Sequence, residues 1–160
     1  MRIYILRHGI AEDGSRVGSD ADRALTGEGK QRLERVLDRA RGGGVRPSLI
    51  LTSPLKRAVE TAEIAAAVLN VKRELVRTNT LLPEGSPERV WSEIRTQIGE
   101  DVLVSGHEPL LSRVVAFLLG CPALQVNMKK AALVCIEMET AGAQPRGALN
   151  WMLTPKVAGI

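Results

Sequence analysis

Ile3-Tyr4-Ile5-Leu6, followed at once by Arg7-His8-Gly9, decides how this chain is read. A short run without polar alternation suits a strand buried on both faces, as in the middle of a parallel sheet. It stops on a cation, a histidine and a glycine, a residue that lets the backbone turn sharply and approach a ligand. The pattern recurs twice. Leu49 to Leu51 runs into Thr52-Ser53-Pro54-Leu55-Lys56-Arg57, and Val102 to Val104 runs into Ser105-Gly106-His107-Glu108-Pro109.

Helical periods fill the gaps. Thr26 to Arg41 carries Leu33, Val36, Leu37 and Ala40 on one face and is stopped by Gly42-Gly43-Gly44. Ser53-Pro54 predicts a helix start with Ser53 as N-cap, and Ala58, Ala62, Ala65 and Leu69 form its buried stripe. Ser86-Pro87-Glu88 repeats that signature ahead of Val90, Trp91, Ile94 and Ile98. Pro109 opens an apolar helix to Leu119, Leu75-Val76 reads as a short strand, and Ala132 to Met138 and Ala148 to Leu153 read as two last strands. Alternating strands and helices imply a three-layer α/β/α fold with a mostly parallel central sheet, and the short final connection allows an antiparallel last pair. No repeat, low-complexity segment or linker divides residues 1–160, so a single domain is expected.

Composition narrows the function. The chain has 160 residues, 44% of them hydrophobic but only 2% aromatic, so aliphatic side chains must build the core. A net charge of +4 is compatible with an anionic substrate. One Phe, one Tyr and no long basic run argue against nucleic acid. No stretch is long enough to span a membrane and no signal peptide is visible, which makes a cytoplasmic location the expectation. Cys121 and Cys135 lie far apart in apolar surroundings and read as reduced core residues.

Parallel sheets place ligands beyond the carboxyl ends of their strands. The chain's two histidines, His8 and His107, both stand there, each beside a glycine. Lys56 and Arg57 fall in the first turn of a helix, where the backbone dipole disfavours cations. A bound phosphate reconciles that conflict for Arg57, since a helix N-terminus and a guanidinium both favour an anion; Lys56 is expected to point into water. Pro109 starts a helix directly after His107, so that loop is expected to offer backbone N–H groups as well.

Leu6-Arg7-His8-Gly9, Ser53-Pro54-Leu55-Lys56-Arg57-Ala58 with Thr61-Ala62, and Ser105-Gly106-His107 resemble, in order, the three main blocks of the histidine phosphatase (RHG) superfamily, whose fold is that of phosphoglycerate mutase. The short chain and Arg23-Ala24-Leu25-Thr26 are similar to the SixA-type phosphohistidine phosphatase branch. The resemblance implies that His8 is the nucleophile and forms a phosphohistidine intermediate, with Arg7, Arg57 and His107 around the phosphate and no metal or other cofactor. Arg23 matches an arginine of that branch and would bind phosphate or orient its loop. Lys129 and Lys130 lead into a strand, where solvation is expected and a place facing the pocket is the alternative. For the general acid, Glu84 in Leu82-Pro83-Glu84-Gly85 is the candidate by block order, ahead of Glu12 and Asp13.

The expected activity is hydrolysis of a phosphohistidine, with a histidine-phosphorylated protein such as a phosphotransfer domain as partner. The alternatives are a small phosphorylated substrate, cleaved by a phosphomonoesterase or moved by a mutase-like phosphotransferase, and a noncatalytic phosphate-binding module.

Overall fold

The computed structural model describes residues 1–14, 18–97 and 99–160. In chain order its strands are β1 (Arg2–Arg7), β2 (Leu49–Thr52), β3 (Val76–Arg77), β4 (Val102–Gly106), β5 (Leu133–Met138) and β6 (Gly147–Leu153). Its helices are α1 (Gly27–Gly42), α2 (Lys56–Leu69), α3 (Pro87–Ile94) and α4 (Leu110–Leu118). The sheet order is β3-β2-β4-β1-β5-β6. β1, β2, β3 and β4 pair in parallel, while β5 runs antiparallel to both β1 and β6. The antiparallel final pair is therefore present, and β5 is the strand that reverses.

The apolar runs are buried on both faces because successive side chains serve different layers. Ile3 and Ile5 of β1 join Leu49, Leu51, Val102 and Val104 in a core closed by Trp91 and Ile94 of α3 and Val114 and Leu118 of α4. Tyr4 and Leu6 join Ile50 and Leu103 in a second core, closed by Leu33 and Leu37 of α1 and Ala62 and Ala65 of α2. Three-layer α/β/α is thus a direct consequence of strands with no polar face.

Helix ends follow local chemistry. Thr26 caps α1 by accepting the Gly29 amide, and Gly43 and Gly44, the latter at φ +89°, end it. Ser86 caps α3 by accepting the Arg89 amide, with Pro87 at its first position. Four expectations need correction. Ser53 is not the cap of α2: the helix begins at Lys56 with Leu55 as its uncapped flank, because the Ser53 side chain is engaged elsewhere. β3 lies one residue later than Leu75-Val76, and α4 starts at Leu110, with Pro109 as its N-cap. Cys121 is exposed where the chain leaves α4, whereas Cys135 is buried in β5; both are free thiols. Ile98, expected to extend the α3 stripe, lies outside the described residues, and α3 ends at Ile94. Among the described residues no helix is long and apolar enough to cross a membrane.

Candidate active site

Register builds the site. In the parallel β1–β4 pair Arg7 lies opposite Gly106, so the next residue on each strand is a histidine. His8 N donates to Gly106 O at 3.1 Å, and the imidazole centroids of His8 and His107 sit 5.1 Å apart. On the other side of β4, Thr52 lies opposite Ser105, and Ser53 N donates to Ser105 O at 3.0 Å. The three motif-bearing ends belong to neighbouring strands, β2, β4 and β1.

Both histidines are buried, His8 at 6% and His107 at 2% exposure. His8 Nδ1 lies 2.7 Å from Gly9 O. A carbonyl only accepts, so Nδ1 carries the proton and Nε2 keeps its lone pair. Burial pushes the His8 imidazole down to about 4, helped by the positive charges of Arg57, Arg7 and Lys130 and opposed by the Gly9 carbonyl. His107 is pushed down to about 3, first by burial and then by His8 and Arg57, with the Asp20 charge opposing. Near neutral pH both rings are uncharged, as a nitrogen nucleophile requires.

His107 Nε2 lies 2.8 Å from Ser53 Oγ, which also accepts the Leu55 amide at 3.3 Å. The serine hydroxyl can donate to Nε2, and in that tautomer the His107 proton sits on Nδ1. That contact explains why Ser53 does not cap α2.

Arg7 and Arg57 reach the site from opposite sides. Arg7 Nη1 donates to Met128 O at 2.6 Å, and burial lowers its pKa while Glu108 opposes. Arg57 is the second residue of α2, whose first turn holds no acidic side chain. Its side chain is 6% exposed; Nη1 donates to Asp20 O at 2.9 Å and Nη2 to Asp20 Oδ2 at 3.1 Å. Asp20 was not singled out from the sequence. Hydrogen bonding from Arg23 holds its carboxyl below the usual range; desolvation opposes, and the charge and hydrogen bond of Arg57 add to the lowering. Thr61 ties the parts together, donating to Arg57 O at 2.7 Å and accepting the Gly9 amide at 3.2 Å.

Among the described residues, the buried side-chain nitrogen and oxygen atoms without a hydrogen-bond partner are Arg7 Nε, Arg57 Nε and His107 Nδ1. All three belong to residues singled out in the sequence, and with the tautomer above all three are donors. An unmet buried donor costs about 1–3 kcal/mol, and such a cost is a mark of function. A phosphoryl group, rich in acceptors, matches the set.

The remaining candidates separate. Arg23 Nε donates to Glu12 O at 2.8 Å and Nη1 to Asp20 Oδ1 at 3.1 Å, so in this structure it braces the loop that carries Asp20. Lys56 is exposed, as expected. Lys129 and Lys130 are exposed but share a cavity with Arg7. Glu84 is exposed on a turn closed by Gly85 N to Leu82 O, and no hydrogen bond or ion pair joins it to a described residue. Glu12 and Asp13 lie on the loop after His8, Asp13 exposed. The helix start after His107 has its amides engaged: Leu111 N donates to His107 O and Ser112 N to Glu108 Oε1. The expected free N–H groups there are thus largely used inside the turn. No three His, Cys, Asp or Glu side chains among the described residues cluster as a metal site would.

The profile of the histidine phosphatase superfamily (branch 1) matches residues 3–81, which include Arg7, His8 and Arg57. An uncharacterised protein of Picosynechococcus sp. is 36% identical over 150 residues, 90% of this chain and 89% of that protein. The structure of the protein histidine phosphatase SixA complexed with tungstate superposes with a TM-score of 0.87 and 28% identity over 98% of both chains. A SixA-named protein of Agrobacterium tumefaciens reaches 0.81 at 24% identity, over 96% of this chain and 97% of its own. A phosphoserine phosphatase of Entamoeba histolytica shares the fold, with a TM-score of 0.73 at 13% identity over 98% of each chain. Sequence profile, fold and the pairing of two strand-end histidines converge: the chain belongs to the histidine phosphatase superfamily.

Proposed function

We propose that this chain, working as one domain over residues 1–160, hydrolyses a phosphohistidine by passing the phosphoryl group through His8. The observation that carries the reading is the set of unpaired buried donors on Arg7, Arg57 and His107 around an imidazole whose Nε2 is free and uncharged. The likeness to SixA, a protein histidine phosphatase, favours a phosphoramidate substrate.

His8 Nε2 attacks phosphorus in line. The P–Nε2 bond forms as the substrate's P–N bond breaks; its electron pair leaves on the substrate nitrogen, and a proton on the other nitrogen of that ring lets it depart as neutral imidazole. Arg7, Arg57 and the Nδ1–H of His107 face the equatorial oxygens, where charge is shared in the transition state. Water then attacks phosphorus, the P–Nε2 bond breaks with its electron pair returning to Nε2 of His8, and the water's protons leave with the released hydrogen phosphate. An imidazole leaves more readily than an alkoxide and needs less help from an acid, which fits a Glu84 that is bonded to nothing described. Asp20 holds Arg57 in place before substrate arrives, and Arg23 holds Asp20.

The test is to incubate the protein with a histidine-phosphorylated phosphotransfer domain and follow phosphate loss, trapping any acid-labile, alkali-stable phosphoenzyme. Loss of phosphate through an intermediate that is absent in His8→Ala is expected. No loss from that substrate together with good turnover of a small ester refutes the phosphohistidine assignment.

A further inference from the structure

Next to the phosphate site lies a cavity of about 760 Å³ whose lining includes Arg7, Arg32, Lys129, Lys130 and Lys156 and no acidic side chain. Arg7 belongs to both places. Lys129, Lys130 and Lys156 have no ion-pair partner among the described residues; Arg32 reaches Glu28 at 3.9 Å and Ile160 O at 3.4 Å. Five cations on one concave wall repel one another, an arrangement that favours an anionic occupant.

The wall is fastened to the catalytic strand. Ala132 N donates to Lys129 O at 2.9 Å, closing a turn with Lys130 and Ala131 at its centre. Ala131 N donates to both Arg7 O and His8 O, at 3.2 and 3.1 Å. Ala131 sits at φ +61°, a left-handed conformation that costs a residue with a Cβ about 1–2 kcal/mol. Backbone strain of this kind persists where surrounding structure enforces it, and it clusters at functional sites. Here it sets two lysines beside the residue that would take the phosphate. Lys130 is near enough to contribute to the lowered His8 pKa.

We propose that this basic cavity docks acidic side chains that flank the phosphorylated histidine of a protein substrate. The inference rests on the phosphohistidine reading above and names the partner's character: an acidic protein surface next to its phosphohistidine. A single phosphate fills only a small part of such a cavity, whereas two or three carboxylates on an extended or helical segment match five dispersed cations. Arg7 then spans the boundary, one side toward the phosphoryl group and the other toward the flank. Electrostatic complementarity of this kind acts on encounter and selectivity, and salt weakens it.

The experiment compares two phosphohistidine peptides, one with Asp and Glu around the phosphohistidine and one with Ser and Gln there, alongside phosphoramidate. The wild-type protein is set against the double variant Arg32→Ala/Lys156→Ala, neither residue being part of the phosphate site. Wild type is expected to prefer the acidic peptide by about tenfold in kcat/KM, through KM. The double variant abolishes most of that preference and leaves phosphoramidate turnover unchanged, and high salt likewise removes most of the preference between the two peptides. Equal kcat/KM for the two peptides in wild type overturns the proposal, as does an equal loss on phosphoramidate in the double variant. A tenfold preference for a small phosphorylated carboxylic acid without one for the acidic peptide overturns the protein assignment. If none of these compounds is turned over, the phosphatase reading fails instead. The cavity is then judged by binding of the unphosphorylated acidic peptide: weaker binding by the double variant upholds docking, and equal binding refutes it.

Discussion

Lowering the pH from 7.5 to 5 tests the electrostatics of the site directly. An ordinary imidazole, with a pKa near 6.5, is only about 3% neutral at pH 5. With its pKa pushed to about 4, His8 is still about 90% neutral there. The neutral fraction of His8 therefore barely changes where that of an exposed histidine would fall about thirtyfold. The assay is a proton–carbon correlation titration of the ring Cε1–H groups. The chain has two histidines, so one His107→Asn variant assigns both signals. Neither ring should titrate above pH 5. The same displacement reaches stability. Between pH 6.5 and about 4 the unfolded chain holds protons on these rings that the folded chain refuses. The unfolding free energy therefore falls as pH falls through that window and is flat above it. At about 1.4 kcal/mol for each pH unit, His8 alone accounts for on the order of 3 kcal/mol once both states are protonated. Saturation with tungstate places negative charge against the rings and should raise both values, so tungstate binding takes up protons and tightens in mild acid. Ring titrations near 6.5 in the free protein, with no acid-side loss of stability, would refute the burial argument.

Three substitutions probe separate parts of the arrangement. Arg57→Ala is expected to lower turnover by about 10²–10³-fold with an unchanged circular dichroism spectrum; near-wild-type phosphate release would show that the first-turn cation does not serve the substrate. Gly29→Ala puts a Cβ 2.2 Å from Ile10 O, pressing α1 against the loop after His8. It should cost about 2–3 kcal/mol and lower Tm by roughly 5–10 °C in thermal melts. Asp20→Asn keeps an acceptor for Arg57 but removes the competing charge, so tungstate should bind about two- to fivefold tighter by calorimetry.

The three strand ends were legible because each apolar run lacks a polar face and stops on a different kind of residue. Such runs become interior strands, and the punctuation after them falls at one edge of the sheet. Their adjacency was not legible. Periodicity says that Ile3–Leu6 and Val102–Val104 are strands but not that Arg7 lies opposite Gly106; that pairing comes from the crossovers and brings the histidines together. Ser53 was misread for a physical reason. Ser-Pro is a sound helix-start signal, but a serine oxygen serves few partners at once, and here His107 and the Leu55 amide take it. Asp20 gave no signal at all. It is 63% exposed in a polar loop, 37 residues from Arg57, and becomes significant only when that loop folds over α2.

Asp20 also changes what the misplaced cation means. A guanidinium at the second position of a helix without an acidic first turn looked like a demand for phosphate. In the free protein the demand is met by the chain itself: the Asp20 carboxylate and carbonyl occupy the Nη1 and Nη2 face of Arg57, while Nε keeps its donor unpaired. The guanidinium is thus held by one face and presented by the other. A phosphoryl group that uses Nε alone joins Asp20 on the same arginine, and the two anions repel. One that needs the fork must displace Asp20 and disturb its bond to Arg23, which is itself tied to Glu12 O. Either way the free protein gives up part of its affinity for inorganic phosphate. Affinity for the whole substrate then has to come from contacts beyond the phosphoryl group, which is where the basic wall beside Arg7 stands.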